Sequence, residues 1–245
     1  MNYSNIFDKF KGKYIFLITC VLSAVMVLVL AFVAYGEINS KSDSNVNYKI
    51  VLDAGHGGED GGAVGQDGIV EKDINLKIAL KLKDLLQAAG YDVVMTREED
   101  EAIYDDSAET LREKKRSDLN NRVKIIEKNS DSKTIFVSIH QNKFPNPKYF
   151  GTQIFYSKND DKSQKLAVSI KESVVGFLQS QNTREIKPAN KKIFLLNKAQ
   201  IPAVVVECGF LSNEEEARKL SSSSYQSKMA FSIYCGIINY FINNP

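Results

Sequence analysis

Ile50-Val51-Leu52-Asp53-Ala54-Gly55-His56-Gly57-Gly58 is a short apolar run that breaks into a histidine set among glycines. Tyr48–Leu52 has the length and branched content of a β-strand, and the glycines after it allow the sharp turns that end one. Working outward, Ile74, Ile78, Ala79, Leu82, Leu85, Leu86 and Ala89 recur at helical spacing, with Gly90 as the C-cap. Tyr91–Met95 reads as the next strand. A charged stretch from Arg97 to Arg116 interrupts the order; Leu119, Val123 and Ile126 then mark a helix and Thr134–Ile139 a strand. The second half repeats the theme. Thr152–Tyr156 is strand-like, and Leu166, Ile170, Val174, Phe177 and Leu178 share a helical face. Ile193–Leu196 and Ala203–Val206 are short apolar runs, Ser212 with Glu215 suggests a capping box, and Met229 to Phe241 closes the chain on an amphipathic helix. Strands alternating with helices predict an α/β fold: one domain over residues 48–245, with a twisted, mostly parallel sheet flanked by helices. Such sheets bind ligands beyond the carboxyl ends of their strands.

The chain has 245 residues, 43% hydrophobic and 25% charged, which is the balance of a globular protein rather than a disordered one. Lys9, Lys11, Lys13 and Lys41 against Asp8, Glu37 and Asp43 account for half of the net charge of +2. The rest is nearly neutral, so no broad basic surface for nucleic acid is expected. Residues 15–35 carry no charge and would span about 30 Å as a helix, the thickness of a bilayer core. With three lysines before it, this segment predicts a single-pass anchor at the cell membrane, residues 1–14 in the cytoplasm and the domain outside. The other reading, a cleaved signal sequence with Ala34-Tyr35-Gly36 at its end, would give a secreted domain. Residues 36–47 read as a polar linker. Cys208 and Cys235 lie in apolar elements, and no structural disulfide is expected.

The chain has only two histidines. His56 follows the first strand and His140 ends Ile135-Phe136-Val137-Ser138-Ile139, so both emerge at the carboxyl edge of the sheet. Catalytic zinc takes three protein ligands and leaves one position open. A carboxylate would complete that set, and Glu71, ahead of the first long helix, is placed to swing back toward His56. It reads equally as an acid that complements the helix dipole. Glu207 ends Pro202-Ala203-Val204-Val205-Val206, where a charge is costly without a partner or a task. That position suits a general acid–base group.

Leu52–Gly58, Val70-Glu71-Lys72-Asp73, Ser138-Ile139-His140-Gln141-Asn142 and Val206-Glu207-Cys208-Gly209-Phe210-Leu211-Ser212-Asn213 resemble the signature blocks of N-acetylmuramoyl-L-alanine amidase family 3. Gly151–Tyr156 and Thr96-Arg97 fit as well, while Gly61 and Asn197 depart from the pattern. The resemblance implies Zn²⁺ on His56, Glu71 and His140, Glu207 as the catalytic carboxylate, and hydrolysis of the amide between N-acetylmuramic acid and L-alanine in peptidoglycan. An anchored domain without wall-binding repeats resembles the sporulation branch, which modifies spore cortex for germination. Asn142 has two readings, a contact to the stem peptide or a turn residue. Asp53 also has two, a hydrogen bond to a ligand imidazole or a brace for the glycine turn. Rival functions are a peptidase with Cys208 as nucleophile, a non-catalytic wall-binding module and a zinc deacetylase of sugar N-acetyl groups. An anchored amidase needs gating, and a separate extracytoplasmic activating protein is the expected partner; residues 98–116 read either as its docking surface or as a solvated charged loop.

Overall fold

A computed structural model describes residues 26–27, 48–65 and 68–244. Apart from Met26 and Val27, the expected membrane segment 15–35, the cytoplasmic residues and the linker lie outside the described residues. No helix among the described residues is long and apolar enough to cross a membrane.

Six strands form one sheet: β1 Lys49–Ala54, β2 Asp92–Met95, β3 Thr134–Asn142, β4 Gln153–Tyr156, β5 Lys187–Pro188 and β6 Ala203–Phe210, in the order β2-β1-β3-β6-β4-β5. The first four in that order run parallel, β4 is antiparallel to β6, and β5 follows the direction of β4. The α/β expectation therefore holds, with a mixed sheet of which the central part is parallel. The turnabout has a simple cause. A parallel crossover needs a dozen or more residues and usually a helix, whereas residues 143–152 between β3 and β4 contain none.

Alternation along the strands divides the core. Ile50, Leu52, Ile135, Val137, Val204 and Val206 pack under helices α1 (Glu71–Ala88), α3 (Lys162–Phe177) and α6 (Ser223–Asn243). Val51, Phe136, Ala203 and Val205 face the other way, toward α2 (Leu111–Asn129) and α4 (Phe194–Lys198). Ile74, Ile78, Ala79, Leu82 and Leu86 form the buried stripe of α1, which ends before Gly90 at φ 87°.

Two local readings are refined and one is corrected. The helix marked by Leu119 begins at Leu111, because Thr110 and Glu113 form a reciprocal capping box inside the charged stretch. Of the apolar run Ile193–Leu196, Phe194–Leu196 lie in the short helix α4 and Ile193 is its N-cap. The cap of α5 (Glu214–Ser221) is Asn213, whose side chain accepts from the Glu216 N–H at 3.1 Å, in place of the expected Ser212 and Glu215 pair.

Candidate active site and metal centre

Strand parity places the chemistry. Asp53, Ser138, His140 and Glu207 continue the face of Val51, Phe136 and Val205, beyond the point where the apolar core ends. His140 and Glu207 are register partners on β3 and β6, and the ladder shifts just after them.

His56 stands two residues past β1 with φ 62°, the only non-glycine with positive φ among the described residues. That conformation costs an L-residue about 1–2 kcal/mol. The turn is held by reciprocal backbone bonds between Gly57 and Asp60. In it, His56 Nδ1 donates to Asp60 Oδ2 at 2.9 Å, and Nε2 lies 3.3 Å from Glu71 Oε1. His140 Nδ1 reaches the same oxygen at 3.0 Å. Glu71 opens α1 and is fixed by N–H groups of Ala63 on Oε2, at 2.7 Å, and of Gln141 on Oε1, at 3.0 Å. Donor atoms of His56, Glu71 and His140 all lie within 4.8 Å of one another, an arrangement able to hold a metal ion.

Two glycines make this convergence possible. A Cβ on Gly55 would stand 2.1 Å from His140 Nε2, and one on Gly62 would stand 2.6 Å from both Glu71 Oε2 and His56 Cδ2.

The electrostatics fit a cation. Burial would lower the His56 pKa, but Asp60 and Glu71 beside it raise it to about 9. Burial would likewise raise Glu71, yet the two imidazoles hold it far below the usual carboxylate range. Glu207 behaves in the opposite way. Burial pushes it up to about 7, with the imidazole of His140 opposing and Glu71 reinforcing the rise. Its Oε2 is enclosed and has no hydrogen-bond partner among the described residues. A carboxyl group so placed can exchange a proton near neutral pH.

Asp53 does not bond an imidazole. Its carboxylate accepts from Thr96 Oγ1 at 2.7 Å and from Ser138 Oγ and Arg122 Nη1 at 2.5 Å each. Burial would raise its pKa, but Arg122 and the two hydroxyls take it down to about 2. Arg122 in turn donates to the carbonyls of Ala54 and His56, at 2.9 and 2.8 Å. Asp53 thus acts as the brace of the glycine turn. The hydrogen-bond partner of a ligand imidazole is Asp60, four residues after His56, which the sequence reading did not single out. Arg97 adds to the brace through the carbonyls of Ala54, Gly55 and Lys72.

Asn142 sits at the end of β3, where its carbonyl accepts from the Leu211 N–H at 2.8 Å and its side chain makes no hydrogen bond among the described residues. Part of the charged stretch serves the site rather than solvent: Asp100 accepts from the Gly58 N–H at 3.0 Å and from Lys72 Nζ at 2.7 Å. Cys208 points away from Glu207 into the core under α1, and burial pushes its thiol pKa up, contrary to what a nucleophile needs. It and Cys235 are free.

The sequence profile of the N-acetylmuramoyl-L-alanine amidases matches residues 50–239. The chain belongs to that family. It is a hydrolase of the amide joining N-acetylmuramic acid to L-alanine in peptidoglycan. The amidase is 40% identical over 192 residues to the germination-specific N-acetylmuramoyl-L-alanine amidase of Bacillus subtilis, spanning 78% of this chain and 79% of that one. It is 30% identical to the amidase AmiA of Escherichia coli, over 78% of this chain and 75% of the other. Among solved structures it resembles the CwlD amidase of Clostridioides difficile, determined in complex with the GerS lipoprotein. The identity is 44% and the TM-score 0.77, covering 81% of this chain and 100% of that one.

Proposed function

We propose that the chain is a zinc amidase of spore cortex, held at the outer face of the cell membrane by residues 15–35 and acting with an extracytoplasmic protein partner. The observation that carries the chemistry is the meeting of His56, Glu71 and His140 beside the partly buried carboxyl group of Glu207, whose enclosed Oε2 has no partner among the described residues. The cortex setting is supported by the germination-specific relative, and the partner by the relative solved with a lipoprotein.

Zinc suits the donors. Ligands about 2.0–2.1 Å from zinc at tetrahedral corners stand about 3.3 Å apart, close to the 3.3 and 3.0 Å found from Glu71 Oε1 to the two imidazoles. When bound, the ion supplies Lewis acidity, which makes water acidic enough to attack at neutral pH and offsets charge on the scissile carbonyl. Glu207 takes the proton of the attacking water and returns it to the departing L-alanine nitrogen. Asp60 fixes the ring of His56, and Gln141 and Ala63 fix the carboxylate of Glu71. Asn142, one turn of the ladder past His140, faces the leaving stem peptide.

The test is mass spectrometry of muropeptides incubated with the purified chain. Free stem peptides and peptide-free muramic residues are expected. Release of acetate with the stem peptide still attached would establish the deacetylase instead, and no cleavage would leave a binding module.

A further inference from the structure

One cation at the edge of the site has no ion-pair partner among the described residues. The Arg184 guanidinium, just ahead of β5, lies over the Phe210 ring at 4.4 Å and the Tyr149 ring at 5.3 Å. Its Nε donates to the Phe150 carbonyl at 2.6 Å. Among the described residues its two terminal nitrogens make no hydrogen bond, and no carboxylate stands within ion-pair distance of them. The neighbouring acids are held by other groups, and Glu216 reaches Arg184 only at longer electrostatic range. Glu185 faces Lys171 at 3.4 Å, and Glu216 accepts the N–H groups of Gly151 and Phe210, at 2.9 and 2.8 Å.

The ladder gives the position of the backbone that carries this cation relative to the chemistry. Gln153 is the antiparallel partner of Glu207, and opposed residues point to the same face of a sheet. The Gln153 amide donates to the carbonyl of Glu185 at 2.6 Å. One strand spacing of about 4.8 Å plus a glutamine side chain therefore separates Glu207 from the Arg184–Glu185 backbone, on the order of 10 Å in all. Two to three residues of extended peptide cover roughly that distance.

The loop between β3 and β4 keeps this edge in place. It starts two residues after His140's neighbour Gln141, contains Pro145 and Pro147, and is tied to the other wall of the site. Lys143 Nζ donates to the Val64 carbonyl at 2.8 Å, the Phe144 N–H to Ser212 Oγ at 3.1 Å, and Asn213 Nδ2 to the Pro147 carbonyl at 2.9 Å. Arg184 is thus a planar donor fork, stacked on two rings and presented at a fixed edge. That geometry suits two parallel N–H···O bonds to a carboxylate.

We infer that Arg184 is the specificity residue of this amidase for an acidic stem peptide, binding the free carboxylate of its second residue beside the leaving L-alanine. The inference rests on the amidase reading, and stem peptides supply the required chemistry because the residue after L-alanine carries a carboxyl group that is either free or amidated. A free carboxylate can pair with both terminal nitrogens of Arg184; an amide offers one acceptor and no charge.

The experiment compares two muropeptides that differ only in that group, free acid or amide, with the full chain and with Arg184→Gln and Arg184→Lys. The wild type is expected to prefer the acid. Arg184→Gln should lose about 10–100-fold in kcat/KM on the acid, chiefly through KM, the usual loss for a charge-assisted pair, and change little on the amide. Arg184→Lys, which keeps the charge without the fork, should recover part of the loss on the acid alone. An equal loss on both substrates would overturn the inference and leave Arg184 as a brace for the Phe150 loop. Equal use of both substrates by the wild type would overturn it too, while leaving the amidase reading intact. If the wild type releases neither stem peptide, it is the amidase reading that fails.

Discussion

Glu207 sits where an ordinary structural glutamate is rare, partly buried within the central strand β6 with one enclosed oxygen unmatched. Such a group destabilises the fold slightly and is kept for its proton. Glu207→Gln should therefore retain metal and fold, melt at the same temperature or higher, and lose turnover by about 10²–10⁴-fold. Metal analysis and kinetics on the same preparation check this; a variant that loses its metal as well would make Glu207 a ligand instead. Cys208→Ala should stay active, since the thiol lies on the opposite face with its pKa pushed up. The glycines allow a sharper test of ligand geometry. Gly55→Ala puts a methyl into the ring of His140, at 2.1 Å from Nε2, and should abolish metal binding although no ligand is altered. Normal metal content in that variant would refute the arrangement of His140 described above. His56, His140 and Glu207 stood out in the sequence because each follows an apolar strand-like run, where a polar residue needs a reason, whereas Glu71 read equally as a helix N-terminal acid and was singled out by the family resemblance. Asp60 was not: an acid in a glycine-rich turn looks like any loop residue, and only the fold shows that it faces His56.

Helix α2 shows how an element can escape reading by hydrophobic period. Its buried residues are Asp118, Arg122 and Ile126, so two of the three positions that face the core are charged. Its end was placed by Ile126, but its start at Leu111 depends on the Thr110–Glu113 cap hidden in a charged run. The strands, by contrast, alternate between two apolar layers, and this is why their positions were recoverable. The direction of β4 turned on the shortness of residues 143–152, a constraint of loop length rather than of composition. What anchors α2 is the buried pair of Arg122 with Asp53 and Asp118, Arg122 being 2% exposed. Arg122→Met leaves two enclosed acids without their cation and should cost about 3–5 kcal/mol in denaturant unfolding. The pair also sets an acid limit. Asp53 falls to about 2 in the folded chain from 3.8 as its ordinary value. A depressed carboxylate stabilises the fold above its unfolded pKa and loses that contribution as pH drops through its folded one. Asp53 should thus contribute about 2 kcal/mol above pH 4, disappearing toward pH 2. Unfolding free energies that fall no faster for the wild type than for Asp53→Asn across that window would contradict the assignment.

At the scale of the whole molecule, the site ties the two core layers together. Its donors come from the turn after β1, the first turn of α1 and the end of β3, while the carboxyl group of Glu207 comes from β6. A metal ion held by three of these segments binds the folded chain and not the unfolded one, in which the donors are scattered from residue 56 to residue 140. Binding of that kind must stabilise the fold by linkage, by about 2.7 kcal/mol when free metal exceeds its dissociation constant a hundredfold. In a unit the size of Asn47–Pro245, each kcal/mol moves the melting temperature by about 2–4 °C. Chelation should therefore lower the melting temperature by roughly 5–10 °C, and added Zn²⁺ should restore it together with activity. The His56→Ala and His140→Ala variants should melt near the chelated wild type and show no response to either treatment. If the chelated wild type melts unchanged and still hydrolyses muropeptides, the cluster of His56, Glu71 and His140 is a hydrogen-bonded brace and not a metal centre.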